Sequence, residues 1–213
     1  ALTKWGETEV DSEVLDCVRC TGETLQIMGH CVEEFKTGFD PEDVLRAVMG
    51  GFHLGIASLD EAAAMVGRKI SSDTLEPVNL KLYQSGQTLP MSYAGTIFEA
   101  MRKVRVAVSM AAKDFDILLT PSLPSTARPH GEFSTTRDDL SAEEYMKGDI
   151  RLFQYLGVFN ITGQPSVSLP LARGADGLPI GIQLAARFGD EATLVKIARD
   201  LEEAMPWHTR IPP

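Results

Sequence analysis

The sequence is poor in cysteine and in basic residues. Three cysteines among 213 residues argue against a disulfide framework and favour a reducing, cytoplasmic location. Lys and Arg number 20 against 30 Asp and Glu, so the net charge is −10. This excess of negative charge disfavours binding to nucleic acids and to anionic membrane surfaces. No stretch approaches the roughly 18 apolar residues of a membrane-spanning helix, and Lys4 and Glu7 interrupt any signal peptide. We therefore expect no nucleic-acid or membrane partner.

Familiar catalytic motifs are also missing. The sequence contains no G-x-S-x-G elbow, no glycine-rich phosphate loop and no H-E-x-x-H zinc pattern. Its four histidines lie far apart along the chain, at His30, His53, His130 and His208. His130 stands beside a Pro- and Gly-containing loop, where it could be a base or only a solvated residue. The residues alone therefore predict no cofactor, no metal and no complete catalytic constellation.

The cysteines could be read as a zinc site, together with His30. Cys17, Cys20, His30 and Cys31 are close in sequence, but His30 and Cys31 are adjacent and would point to opposite faces of a strand. We therefore interpret the cysteines as small, buried apolar side chains.

What the sequence does contain is the composition of a globular protein, with 44% hydrophobic and 23% charged residues. Its periodicity predicts one α/β domain over residues 1–213, with a mixed β-sheet flanked by helices. The predicted helices cover about 11–28, 41–49 up to an interruption at Gly50 and Gly51, 59–66, 75–86, 90–112, 141–156 and 190–205. The predicted strands cover 30–35, 116–120, 166–171 and 180–186, and 159–165 is predicted to be turn-rich.

Three segments in the second half carry a family resemblance. They are FDILLTP followed by SLP (residues 115–124), FNITGQPSVSLP (159–170) and GLPIGIQL running into GDEATL (177–194). Their order and spacing resemble the C-terminal part of the amidase-signature fold, and residues 14–35 are similar to a helix and strand of that family. The RFGDEATL ending (187–194) resembles amidases of the 6-aminohexanoate-cyclic-dimer hydrolase and aryl-acylamidase type more than the glutamyl-tRNA amidotransferase A subunit.

The resemblance implies hydrolysis of carboxylic amide C–N bonds, in linear or cyclic amides. Members of the family use a serine nucleophile, a second serine on a cis peptide and a lysine base, all within a glycine- and serine-rich region. This sequence has no such region, and Lys103, Lys113 and Lys147 stand in the wrong context. Ser166 and Ser168 lie in a predicted strand. We therefore assign no catalytic residue and expect this chain alone to be inactive.

The resemblance leaves a role in binding the small-molecule amide substrate. Thr120 and Pro121 end one predicted strand, and Thr162, Gly163 and Gln164 form a turn before another. Because loops at strand ends commonly carry function, we predict that these five residues line the substrate site. The structural alternative is that Gly163 is needed for the turn and Pro165 for the start of the strand.

Two other interpretations stay open, a fragment of an amidotransferase A subunit and a non-catalytic module that serves in assembly. The chain begins with Ala1, and we expect an N-terminal catalytic part to be missing from it. Such a fragment would have an exposed sheet edge or apolar face. We therefore expect it to pair with the missing part or to form a homo-oligomer.

Overall fold

The structure, a computed structural model, describes residues 9–208. Within these residues the helices are α1 (Ser12–Ile27), α2 (Pro41–Ala57), α3 (Leu59–Met65), α4 (Pro77–Gln87), α5 (Ser92–Ala112), α6 (Ala142–Leu152), α7 (Gln154–Thr162) and α8 (Glu191–Ala204). The strands are β1 (Ile117–Pro121), β2 (Ser166–Arg173) and β3 (Pro179–Ala186). Apart from the segments discussed below, these elements follow the predicted order.

The sheet has β3 at its centre, between β1 and β2, and both pairings are antiparallel. One face carries large aliphatic residues such as Leu119, Ile182 and Leu184, which pack against α1 and α8. The other face carries Leu118 and Ala185, which join a core with residues of α5 and α7. The predicted sheet flanked by helices is thus confirmed, and helices cover each of its faces. The predicted mixture of parallel and antiparallel pairing is not seen, since the three described strands pair only antiparallel.

Two helix starts follow from local chemistry. The Asp40 side chain accepts a hydrogen bond of 3.0 Å from the Glu42 backbone N–H, and Pro41 occupies the first turn of α2. Ser141 and Glu144 form a reciprocal capping box at the start of α6. Both predicted helix starts are confirmed. In each case the side chain that accepts from a free backbone N–H lies within three residues of that N–H, so the sequence alone shows it.

The strand predicted over residues 30–35 is wrong. After α1 the chain turns at Gly29, whose φ is 95°, and continues without regular structure to Asp40. Phe35 is buried because its ring packs edge-on against Phe115, with centroids 5.9 Å apart. The apolar residues of this segment therefore reach the core without a strand partner.

The interpretation of the three cysteines as buried thiols holds for one of them only. Cys17 lies on the face of α1 that also buries Val14 and Val18, whereas Cys20 and Cys31 are exposed. Cys20 lies on the far face of the helix, and Cys31 lies in the irregular segment. Cys17 lies at the edge of the buried stripe of α1 and Cys20 lies just beyond that edge, and the missing strand leaves Cys31 at the surface.

Three further boundaries differ from prediction. Gly50 and Gly51 do not interrupt α2, because Gly50 lies directly against Ile97 of α5 and helix packing holds the segment helical. The segment 159–165 is helical as far as Thr162, since Phe159 and Ile161 are buried in the core. The helix predicted over 141–156 is divided at Phe153 into α6 and α7.

Among the described residues, no helix combines the length and the apolar character that crossing a bilayer requires.

Candidate functional site

A network of polar side chains lies on the sheet face that meets α7. Thr120 of β1 stands opposite Gln183 of β3. The Gln183 Nε2 donates hydrogen bonds of 3.1 Å to the Thr120 Oγ1 and of 3.1 Å to the Tyr155 backbone carbonyl. Both Gln183 and Thr120 are buried, as is Pro121. Two of the predicted site residues, Thr120 and Pro121, are therefore enclosed, and Gln183 joins Thr120 to α7.

Two serines extend this polar face toward the surface. The Ser122 Oγ, just after β1, lies 2.6 Å from the Ser168 Oγ of β2. The two hydroxyls meet above Gly181 of β3, where an added Cβ would lie 2.9 Å and 3.0 Å from them. Ser122 is buried and Ser168 is exposed. Glycine in the middle of a strand marks a close approach, and here it makes room for the hydroxyl pair.

The predicted turn lies at the other end of β3. Gly163 caps α7 in the left-handed conformation, with φ 74°, which glycine adopts at little cost. The Gln164 Nε2 donates a hydrogen bond of 2.8 Å to the backbone carbonyl of Ala186. Because Ala186 is three residues from Gln183, the turn is separated from Thr120 by about 10 Å of strand. Thr162 is half-buried beside Gly163. The structure thus brings Thr120 and Pro121 together, and places Thr162, Gly163 and Gln164 elsewhere.

Sequence reasoning missed Ser122, Ser168, Gly181 and Gln183. One signal was present, since a glutamine and a glycine interrupt the apolar run of β3. A buried glutamine needs hydrogen-bond partners, but the sequence does not tell which strands supply them.

The hydroxyl pair has the chemistry of a binding surface. Two hydroxyls that share one hydrogen bond retain one hydrogen and free lone pairs, which suit the N–H or C=O of an amide. A serine nucleophile needs a base. Lys103, Lys113 and Lys147 are exposed, and each lies within 4.0 Å of an acidic side chain. These ion pairs engage the three lysines with Asp43, Asp114 and Glu143 and not with the serine pair.

The histidines lie in separate surroundings. The His53 Nδ1 lies 3.2 Å from the Tyr93 hydroxyl, and burial lowers the pKa of His53. His130 is exposed in the loop after β1. Over residues 9–208, no group of three or more His, Cys, Asp or Glu side chains could hold a metal ion.

Comparison with known proteins then identifies the family. A family model described as Amidase matches residues 2–195. The chain belongs to the amidase family. The resemblance to amidase-signature proteins that the three segments indicated is therefore confirmed.

Individual amidases support this assignment. The chain is 25% identical to the 6-aminohexanoate-cyclic-dimer hydrolase of Pseudomonas sp. (strain NK87), over 97% of this chain and 43% of the relative. The solved structure of 6-aminohexanoate cyclic dimer hydrolase superposes with a TM-score of 0.85 at 23% identity, over 100% of this chain and 46% of the other. A bacterial aryl acylamidase of the amidase-signature family gives 0.79 at 17% identity, over 97% and 43%. The chain has this fold and spans less than half the length of these amidases.

Proposed function

We propose that this chain forms the scaffold and one wall of the substrate site of an amidase that hydrolyses carboxylic amide C–N bonds. The observation that carries the proposal is the family match over residues 2–195. The polar sheet face adds to it, since the Ser122–Ser168 pair retains one hydrogen and free lone pairs that suit an amide group. We further propose that the nucleophile and base, a Ser-Ser-Lys triad, come from residues outside these 213.

Fluorophosphonate labelling of the intact protein tests the origin of the nucleophile. The reagent modifies an activated serine, and mass spectrometry of the peptides locates the modified residue. We expect the label on a serine outside this chain, and equal labelling of a Ser168→Ala variant. A label on Ser122 or Ser168 would place the nucleophile within the chain and overturn this part of the proposal.

For the substrate wall we propose Thr120, Pro121 and the turn from Thr162 to Gln164. The Gln164 side chain is the one to test, because its amide nitrogen already binds the Ala186 carbonyl. If its remaining oxygen also contacts substrate, Gln164→Ala raises the KM for some amides of a series more than for others. A KM unchanged for every amide of the series would limit Gln164 to holding the end of β3.

The setting of the protein is also a proposal. A reducing cytoplasm suits the free thiols of Cys20 and Cys31, which are exposed. Self-association or pairing with another part of the amidase fold suits the large apolar side chains at the surface, among them Met91, Phe98 and Phe188.

A further inference from the structure

An open groove of about 450 Å³ lies between α2, α5 and the segment from Phe153 to Ile161. We call it the α2–α5–α7 groove. Its volume falls in the range of small-molecule sites, about 300–1,000 Å³. It contains none of the five residues that we place at the substrate wall.

Two glycines of α2 give the groove its depth. Gly51 and Gly55 are four residues apart, so they lie on one face of the helix, and both line the groove. A Cβ on Gly55 would have no atom within 4 Å, and one on Gly51 would only touch the Met101 Cε at 3.4 Å. Because these two glycines have no side chains, open space remains above them, and apolar residues that include Phe52 and Phe153 border it.

Of the described residues that line the groove, Arg105 has the one ionisable side chain. Its Nε donates a hydrogen bond of 2.7 Å to the Ile161 backbone carbonyl in the last turn of α7. This bond fixes the guanidinium at the rim. Neither of its two Nη groups has a partner among residues 9–208, so both remain donors. A carboxylate accepts two parallel N–H bonds from such an edge.

From this arrangement we infer that the α2–α5–α7 groove binds a small amphipathic carboxylate, with its apolar body over Gly51 and Gly55 and its carboxylate on Arg105. A single cation matches the single charge of a carboxylate better than the double charge of a phosphate. An apolar body without an anionic group would leave the Arg105 donors to water. The competing occupant is an apolar segment of protein, which would cover the groove and prevent octanoate from binding.

Binding of octanoate and of octan-1-ol to the intact protein, followed by NMR titration, tests the inference. We expect octanoate to bind at least tenfold more tightly than the alcohol, because hydrogen bonds to a charged group are the stronger kind. Arg105→Gln should weaken octanoate about tenfold and leave the alcohol unchanged. Arg102→Gln is the control, since Arg102 is on the same helix and pairs with Glu99.

A second pair of variants tests the place of binding. Gly55→Leu should fill the groove and abolish octanoate binding, whereas Gly95→Leu on α5, which also has open space around it, should not. Both variants replace a helical glycine, so neither should lower the thermal midpoint. If the unaltered protein does not bind octanoate, the inference is contradicted. That result is expected if a protein segment covers the groove. Equal binding by Gly55→Leu and Gly95→Leu, or by the two arginine variants, would also contradict it.

Discussion

Replacement of Gly50 by alanine should destabilise the protein, although alanine is the better helix former. A Cβ on Gly50 would lie 2.2 Å from the Ile97 Cδ1 and 2.8 Å from its Cγ2. Ile97 is fully buried, so α5 must move or the side chain must leave its rotamer. Overpacking of this kind costs up to about 3 kcal/mol, and alanine recovers about 1 kcal/mol in a helix. We therefore expect a net loss of about 2 kcal/mol.

Comparing the free energies of unfolding of Gly50→Ala and Gly55→Ala in urea isolates the contribution of the clash with Ile97. Gly55 is in the same helix but has no neighbour within 4 Å, so Gly55→Ala should stabilise by about 0.5–1 kcal/mol. In thermal unfolding, Gly50→Ala should lower the midpoint by about 4–8 °C. Ile97→Ala should remove the clash, so the double variant should lose less than the two single losses added together. Equal stability of Gly50→Ala and Gly55→Ala would refute the close contact between α2 and α5.

Three other outcomes are expected. Gly181→Ala should separate the Ser122 and Ser168 hydroxyls and lower the affinity of the amidase for its amide substrates, and substrate KM unchanged in this variant would argue against a binding role for the pair. Burial raises the pKa of Asp149 above its ordinary value. The charged carboxylate therefore destabilises the fold at a pH above the pKa of the folded state. This destabilisation disappears as the pH falls below the pKa of the unfolded chain, about 4. Asp149→Asn should therefore raise the free energy of unfolding at pH 7 but not at pH 3, and a gain of equal size at both values would contradict this cause. Light scattering of the 213-residue chain should show association, and a monodisperse monomer would count against the unpaired apolar surface.

The sheet and most helices could be predicted because their signals are local. The apolar runs of β1, β2 and β3 are bounded by prolines and glycines, and the starts of α2 and α6 carry their own capping residues. The predicted strand at 30–35 failed for the opposite reason, since a strand needs a partner that no local pattern supplies. Gly50 was misjudged because its effect depends on Ile97, a residue 47 positions away on another helix.

The polar face could not be predicted from the sequence, because it too depends on contacts between residues that are distant along the chain. Ser122 and Ser168 are 46 residues apart and meet only because both of their strands pair with β3 in one register. A slip of one residue would turn Gln183 to the opposite face of the sheet. The apolar runs and the turn between β2 and β3 did predict the strands themselves, and β1 places Thr120 on this face. Gly163 was predicted with its structural alternative, and its left-handed conformation accounts for the glycine.

The most direct test of the central claim is amide hydrolysis by the purified 213-residue chain, with its folding verified by circular dichroism. A panel of linear and cyclic amides should show no turnover above the uncatalysed rate, because we propose that the nucleophile and the base lie outside the chain. Turnover of any of these amides by the folded chain, lost on Ser122→Ala or Ser168→Ala, would contradict the account.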